Sequence, residues 1–143
     1  MSFKKPAPFH DSSGTAAAEA LFSAILLTIL LFAGFELGRA VSIKHSLDVG
    51  VYRATRYLAL NQDIDQAKEM IWHEIEMNVL GHGYTDSQIR NAITFPLGNP
   101  GYKSFGEMFA VRCTLPYQAT VPFMNLGQRQ MTVEHRQSVE RFP

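Results

Sequence analysis

The chain has 143 residues, 46% of them apolar, which suits one modest domain and leaves little room for a second. Thirteen basic residues balance thirteen acidic ones and no basic run stands out, so nothing in the charge pattern points to nucleic acid as a partner. The single cysteine, Cys113, excludes an intramolecular disulfide. It lies in an alternating apolar run, where it reads as a small buried hydrophobe.

Residues 1–14 (MSFKKPAPFHDSSG) are polar, Pro/Ser-containing and basic near the start through Lys4 and Lys5. They read as a leader or tail with too little apolar surface to fold alone. From Thr15 to Phe35 the only charged residue is Glu19. A helix of about 20 residues crosses the ~30 Å hydrocarbon core of a bilayer. Ser23 and Thr28 can bond back to the preceding turn and need not interrupt it. The stretch is longer than the apolar core of a secretory signal, and Glu36-Leu37-Gly38-Arg39 after it is no A-x-A-like cleavage site, so a retained anchor is expected.

From Ala40 to Leu60 the pattern turns amphipathic. Leu47, Val51, Ala54 and Leu58 share one helical face, with Lys44 and Asp48 as an i,i+4 pair beside it. With no proline or turn cluster in between, one helix of roughly 65 Å is predicted over Ala16–Leu60. Gly34, Gly38 and Gly50 are its points for bending or close helix contact. Asn61-Gln62-Asp63 breaks the pattern. Asp63 with Gln66 has the spacing of an N-cap and its partner, and Ile64, Ala67, Ile71 and Ile75 mark a second helix that folds back on the first and ends at Leu80, before Gly81. Trp72, with Met70 and Met77, is expected in a helix–sheet core.

Beyond Gly83, Gln88–Phe95 is expected as a strand and Leu97–Gly106 as a loop. Phe109, Val111, Cys113 and Leu115 alternate in a strand from Met108 that extends to Val121, with Pro116 and Pro122 implying an edge or a bulge. Asn125–Gln128 is expected as a turn. Met131, Val133, His135 and Gln137 alternate in a last strand. The fold class is α+β: a long N-terminal transmembrane and amphipathic helix, a second antiparallel helix and a small antiparallel β-meander packed on them. The expected divisions are a leader at 1–14, a span and its amphipathic continuation at 15–60, and a head at 61–143.

Catalysis is not expected. His73-Glu74 lacks the second histidine of a zincin, and His10, His45, His82 and His135 are scattered, so no metal set and no cofactor are expected. There is no G-x-S-x-G and no phosphate loop.

Two carboxylates carry the functional reading. Glu19 lies one turn into the span, where a charge costs on the order of 2.5–3.5 kcal/mol at the bilayer centre and less near its edge. It therefore calls for water at the headgroups or a cationic mate. Glu36 has Arg39 at i+3, a local ion pair at the other membrane edge that serves as an interfacial anchor or an assembly contact. The string Gly14-Thr15-Ala16-Ala17-Ala18-Glu19, after a short basic leader and before an apolar span, resembles the processing site of type IV pilins and pseudopilins. The Glu36-Leu37-Gly38-Arg39 exit and the continuation Val51-Tyr52-Arg53-Ala54-Thr55-Arg56-Tyr57-Leu58-Ala59 resemble the TadE-like family of pseudopilins and minor pilins in the Tad pilus system. Ala20 follows Glu19 where major Tad pilins have an aromatic.

That resemblance implies cleavage between Gly14 and Thr15 by a prepilin peptidase, with the new amino terminus meeting Glu19 of an adjacent subunit. It implies as partners the membrane, other pilin or pseudopilin subunits, the peptidase and the Tad secretion machinery, in adhesion or secretion. It also implies a single pass through the inner (cytoplasmic) membrane with an exported C-terminal head, or a place in the extracellular pilus. Charge alone favours the opposite orientation, since Arg39, Lys44, Arg53 and Arg56 follow the span at least as densely as Lys4 and Lys5 precede it. The alternative reading is an unprocessed single-pass membrane adaptor whose head binds a partner outside the cytoplasm.

Overall fold

The computed structural model describes residues 12–78 and 83–140. Its longest element, α1, is one unbroken helix over Ser12–Asn61, about 75 Å long at 1.5 Å per residue. Neither Gly34 nor Gly38 interrupts it, and Thr28 Oγ1 donates to the Ala24 carbonyl at 2.8 Å, as its place in an apolar helix predicts. The N-terminal part of α1 is long and apolar enough to cross a membrane, and almost none of that part is covered by the rest of the chain. The helix closes with Gln62 in the left-handed region (φ 58°), its N–H donating to the Leu58 carbonyl at 3.1 Å.

Asp63 then caps α2 (Ile64–Glu76), its carboxylate accepting from the N–H groups of Asp65 and Gln66. This second helix folds back along α1, burying Ala67, Ile71 and Ile75. Gly50 makes the close approach possible: a Cβ there would lie 3.3 Å from both the Ile71 Cα and the Glu74 Cβ. At the far end Asn78 clamps the pair, with Nδ2 donating to the Ser42 carbonyl at 3.0 Å and to Ser46 Oγ at 2.8 Å. The helix stops at Glu76 with Met77 as its cap, a turn before the predicted end at Leu80. Leu80 and the predicted cap Gly81 lie outside the described residues.

Residues 88–95 depart from the predicted strand. They fall in a short helix, α3 (Asp86–Ala92), followed by β1 (Ile93–Thr94). The cause is a capping box: Thr85 Oγ1 accepts from the Gln88 N–H while the Gln88 side chain accepts from the Thr85 N–H, two orphan donors satisfied at once. A 3₁₀ turn over Pro100–Tyr102 leads to β2 (Met108–Val121), which pairs antiparallel with β1 and with β3 (Met124–Ser138). Among the described residues the sheet order is β1-β2-β3, an antiparallel meander. β1 reaches only Arg112 and Cys113, so β2 is open on that side at Pro116, which is where a proline is tolerated.

The hairpin turn is Pro122-Phe123, not the predicted Asn125–Gln128, with Val121 paired to Met124. Phe123 takes φ 63° at the position where such turns ordinarily place glycine. Asn125–Gln128 instead form a bulge inside β3, where the pairing slips between Gln118 and Thr120. Gly127 (φ 67°) supplies its left-handed residue, and the Asn125 side chain accepts from the Gly127 N–H at 3.1 Å.

The core joins Leu47, Val51, Ala54 and Leu58 of α1 to Ile71 and Ile75, to Ile89, and to Phe109, Val111, Cys113 and Leu115 of β2. The helical face and the β2 alternation read from the sequence thus face inward, and of the β3 alternation Val133 is buried. The sheet rests on α1 and α3, while α2 packs against α1. Trp72 is half-buried against this core, whereas Met77 is 70% exposed. Cys113 is fully buried, and burial pushes its thiol up to about 12.

Candidate assembly and processing site

Gly14 and Thr15 lie in the first turns of α1 and are exposed, and nothing lies within 4 Å of where a Cβ on Gly14 would stand. Glu19 follows Thr15 at i+4, on the same face one turn along, and is also exposed. The apolar side chains after it are bare: Leu21, Phe22, Leu26, Leu27, Leu30 and Leu31 are each at least half exposed. Soluble monomers do not carry a bare apolar surface of this extent, so lipid or other helices must cover it.

Glu36 closes this stretch in a different setting. It is only 7% exposed, beneath the β2–β3 hairpin. Its Oε1 accepts from Arg39 Nη1 at 3.4 Å, the local pair its spacing predicts. Its Oε2 accepts a short bond from the Tyr117 hydroxyl at 2.7 Å, and the same hydroxyl lies 3.0 Å from the Glu36 carbonyl. The Arg39 guanidinium sits 5.7 Å from the centre of the Tyr117 ring. Burial, together with the bond to Glu36, pushes the Tyr117 phenol up to about 12. Tyr84 lies nearby, its hydroxyl donating to the Pro116 carbonyl at 2.7 Å; burial raises its phenol as well, against the pull of Arg39. Tyr117 is the partner that sequence reasoning missed. The signal was present, because Tyr117 continues by two residues the inward alternation that ends at Leu115.

Higher on the stem, Asp48 pairs with His135 Nε2 of β3 at 2.9 Å rather than with Lys44. The His135 ring stands edge-on to Tyr52, with centroids 5.7 Å apart. A cross-fold partner held by the sheet thus replaces a solvated helix neighbour. Across β2 and β3, Glu134 accepts from both Arg112 and Arg136, which holds its carboxyl below the usual range. Among the described residues, no group of three or more His, Cys, Asp or Glu side chains is placed to hold a metal ion.

Glu19 and Glu36 are seventeen positions apart on one straight helix, about 26 Å along its axis. The two carboxylates therefore bracket a stretch slightly shorter than the ~30 Å hydrocarbon core. Residues 14–56 match the family model described as TadE-like protein. Over that stretch, under a third of the chain, the stem is similar to TadE-like proteins. The match starts at Gly14, takes in Glu19, Glu36 and Arg39, and ends before α2 and the sheet. No curated protein and no solved structure matches the chain. The apolar N-terminal helix and the TadE-like match together fit a membrane-anchored, Tad pilus-related protein with pilin-type subunits as its partners.

Proposed function

We propose that this chain is a pseudopilin or minor pilin of TadE type, a helix-bundling subunit in the assembly of a Tad or type IV-like pilus that serves adhesion or secretion. Its part is structural rather than catalytic. The observation that carries this reading is the bare apolar stem with Gly14, Thr15 and Glu19 exposed together at its entry, inside the TadE-like match.

In this reading a prepilin peptidase cuts between Gly14 and Thr15, on the cytoplasmic side of the membrane. Glycine suits that position because it is a poor helix residue, so opening the first turn for cleavage costs little. The freed Thr15 ammonium then meets Glu19 of a neighbouring subunit. A buried ammonium and carboxylate that share one site lose less than either would alone. The span between Glu19 and Glu36 lies in the inner membrane, and the head faces outward until the subunit joins the Tad machinery or its filament.

The test is the mass of the protein extracted from membranes of cells carrying the peptidase. Loss of residues 1–14, abolished by Gly14→Ala, supports processing. A full-length product beside an active peptidase would move the assignment to an unprocessed single-pass adaptor. Glu19→Ala is expected to leave the cut intact and to prevent incorporation into pili; normal incorporation of that variant would remove the pairing role from Glu19.

A further inference from the structure

The β2–β3 hairpin runs down the stem. Glu140 N–H donates to the Ala59 carbonyl at 2.8 Å, and His135 meets Asp48 at 2.9 Å. Five strand residues at about 3.3 Å and eleven helix residues at 1.5 Å both span roughly 16 Å, so β3 and α1 keep pace side by side. Lower down Tyr117, paired with Arg129, bonds to Glu36. Below that level Val121 and Leu126 border an apolar groove with Ala33 and Leu37. The turn follows Val121 directly, so it stands about one helical turn beyond Glu36, alongside the start of the charge-free part of α1.

The hairpin's own charge pattern stops at the same level. Between Arg112 and Arg129 there is no charged side chain, just as there is none in α1 between Glu19 and Glu36. At the tip Phe123 is 85% exposed, with Met124 at 48% and Leu126 at 44%. Phe123 also holds φ 63°, a left-handed conformation that disfavours any residue with a Cβ. A glycine would make this turn more cheaply, but it would not present an aromatic ring outside the subunit.

We propose that this tip is a second membrane contact: Phe123, Met124 and Leu126 rest in the headgroup–acyl boundary of the leaflet through which the Glu36 end of α1 emerges. The proposal rests on α1 crossing a bilayer. The depth is limited, because a hairpin edge carries unpaired backbone groups that the hydrocarbon core cannot satisfy. Apolar side chains at the boundary reach about 5–10 Å inward. Pro122 removes one backbone donor at the deepest point. The cluster of Tyr117, Tyr84, Arg39 and Arg129 then lies at headgroup height, where aromatic and basic side chains are favoured. With the span as one attachment and the hairpin tip as another, the head would be fixed in tilt and rotation on the membrane.

The experiment uses the full chain in phosphatidylcholine–phosphatidylglycerol vesicles, with a nitroxide attached at Phe123→Cys. The same label is placed at Phe32→Cys in the span and at Tyr102→Cys, an 89% exposed site in the loop near Gln62. Buried Cys113 remains in place and unlabelled. Collision with oxygen reports lipid, and collision with a water-soluble nickel chelate reports water. The expected result is a Phe123 label with severalfold less nickel contact than the Tyr102 label and a depth between the other two sites. A Phe123 label as wet as the Tyr102 label, with the Phe32 label in lipid, overturns the hairpin contact and leaves the anchor standing. Water at Phe32 as well overturns both. A Phe123 label shielded from both reagents and broadened by a nearby second label places the tip on another copy of the chain and overturns the lipid contact.

Discussion

Replacing Tyr117 with phenylalanine removes one oxygen and leaves the ring in place. That oxygen donates to the Glu36 carboxylate at 2.7 Å, 81 residues away in sequence, and ties the hairpin to the stem. Without it Glu36 stays buried with Arg39 as its remaining side-chain partner, at 3.4 Å. A hydrogen bond to a charged group contributes about 1.5–3 kcal/mol, and a buried acceptor left short of donors adds a desolvation cost. The Arg39 pair is part-exposed at the arginine end and is worth about 0.2–1 kcal/mol, too little to compensate. Tyr117→Phe is therefore expected to destabilise the head by about 2 kcal/mol. Glu36→Gln, which keeps an acceptor, should cost less, and the two changes together should cost clearly less than their sum. Urea unfolding of the full chain in detergent micelles, followed by the fluorescence of Trp72, the single tryptophan, gives all the values required. The phenol also sets a pH signature. Its proton is held more tightly in the folded state, where the phenol stands at about 12 rather than 10. The stabilisation is then complete below pH ~10 and is lost as the pH rises toward ~12. The phenylalanine variant should lack that alkaline loss. A Tyr117→Phe protein within ~0.5 kcal/mol of the parent and additive with Glu36→Gln would refute the reasoning, since Glu36 would then be satisfied by water.

Two glycines on α1 should respond in opposite directions in the same unfolding assay. Gly38→Ala meets open space and is expected to stabilise the helix by about 0.5–1 kcal/mol, whereas Gly50→Ala must push against the Ile71 backbone and is expected to destabilise by a similar or larger amount. Thr85→Ala removes the acceptor for the Gln88 N–H, leaving the bond from its own N–H to the Gln88 side chain, and should cost about 1 kcal/mol, with faster amide exchange confined to the start of α3. Cys113, buried with its thiol at about 12, should resist alkylation at mildly alkaline pH in the folded protein and react once urea is added. Alkylation at equal rates in both states would contradict its place in the core.

The parts legible in the sequence were those whose cause is local and periodic. The span, the Leu47–Leu58 face, the Asp63 cap and the Phe109–Leu115 alternation each declare themselves within a few turns or pleats. The misreadings came where two local signals compete. At residues 85–95 the Thr85–Gln88 capping box was present, but the Ile and Phe residues after it drew the reading toward a strand; the helix takes the first part and only Ile93 and Thr94 extend. At Asn125–Gln128 the signal for a left-handed residue was genuine, and Gly127 fills it. Such a signal specifies a conformation, not a chain reversal, and a bulge uses the same conformation as a turn. The reversal occurs at Pro122-Phe123, where no glycine marks it.

Partners distant in sequence were not legible, and this separates the two carboxylates on which the proposed function turns. Both stand at the ends of the same apolar stretch and look alike in one dimension. Glu36 lies at the height where the hairpin crosses the stem, so Tyr117 and Arg39 take up its charge within the subunit. Glu19 lies about 26 Å further along the helix, exposed and beyond the reach of the described residues of the head. A carboxylate near the edge of a bilayer can be met by water or by a cation from another chain, and only the second makes it specific for assembly. Removing Glu36 should therefore loosen the head of an isolated subunit, and removing Glu19 should leave that subunit's stability unchanged while blocking its incorporation. One helix thus presents an acid whose charge the monomer takes up and an acid that the proposed function assigns to a neighbour.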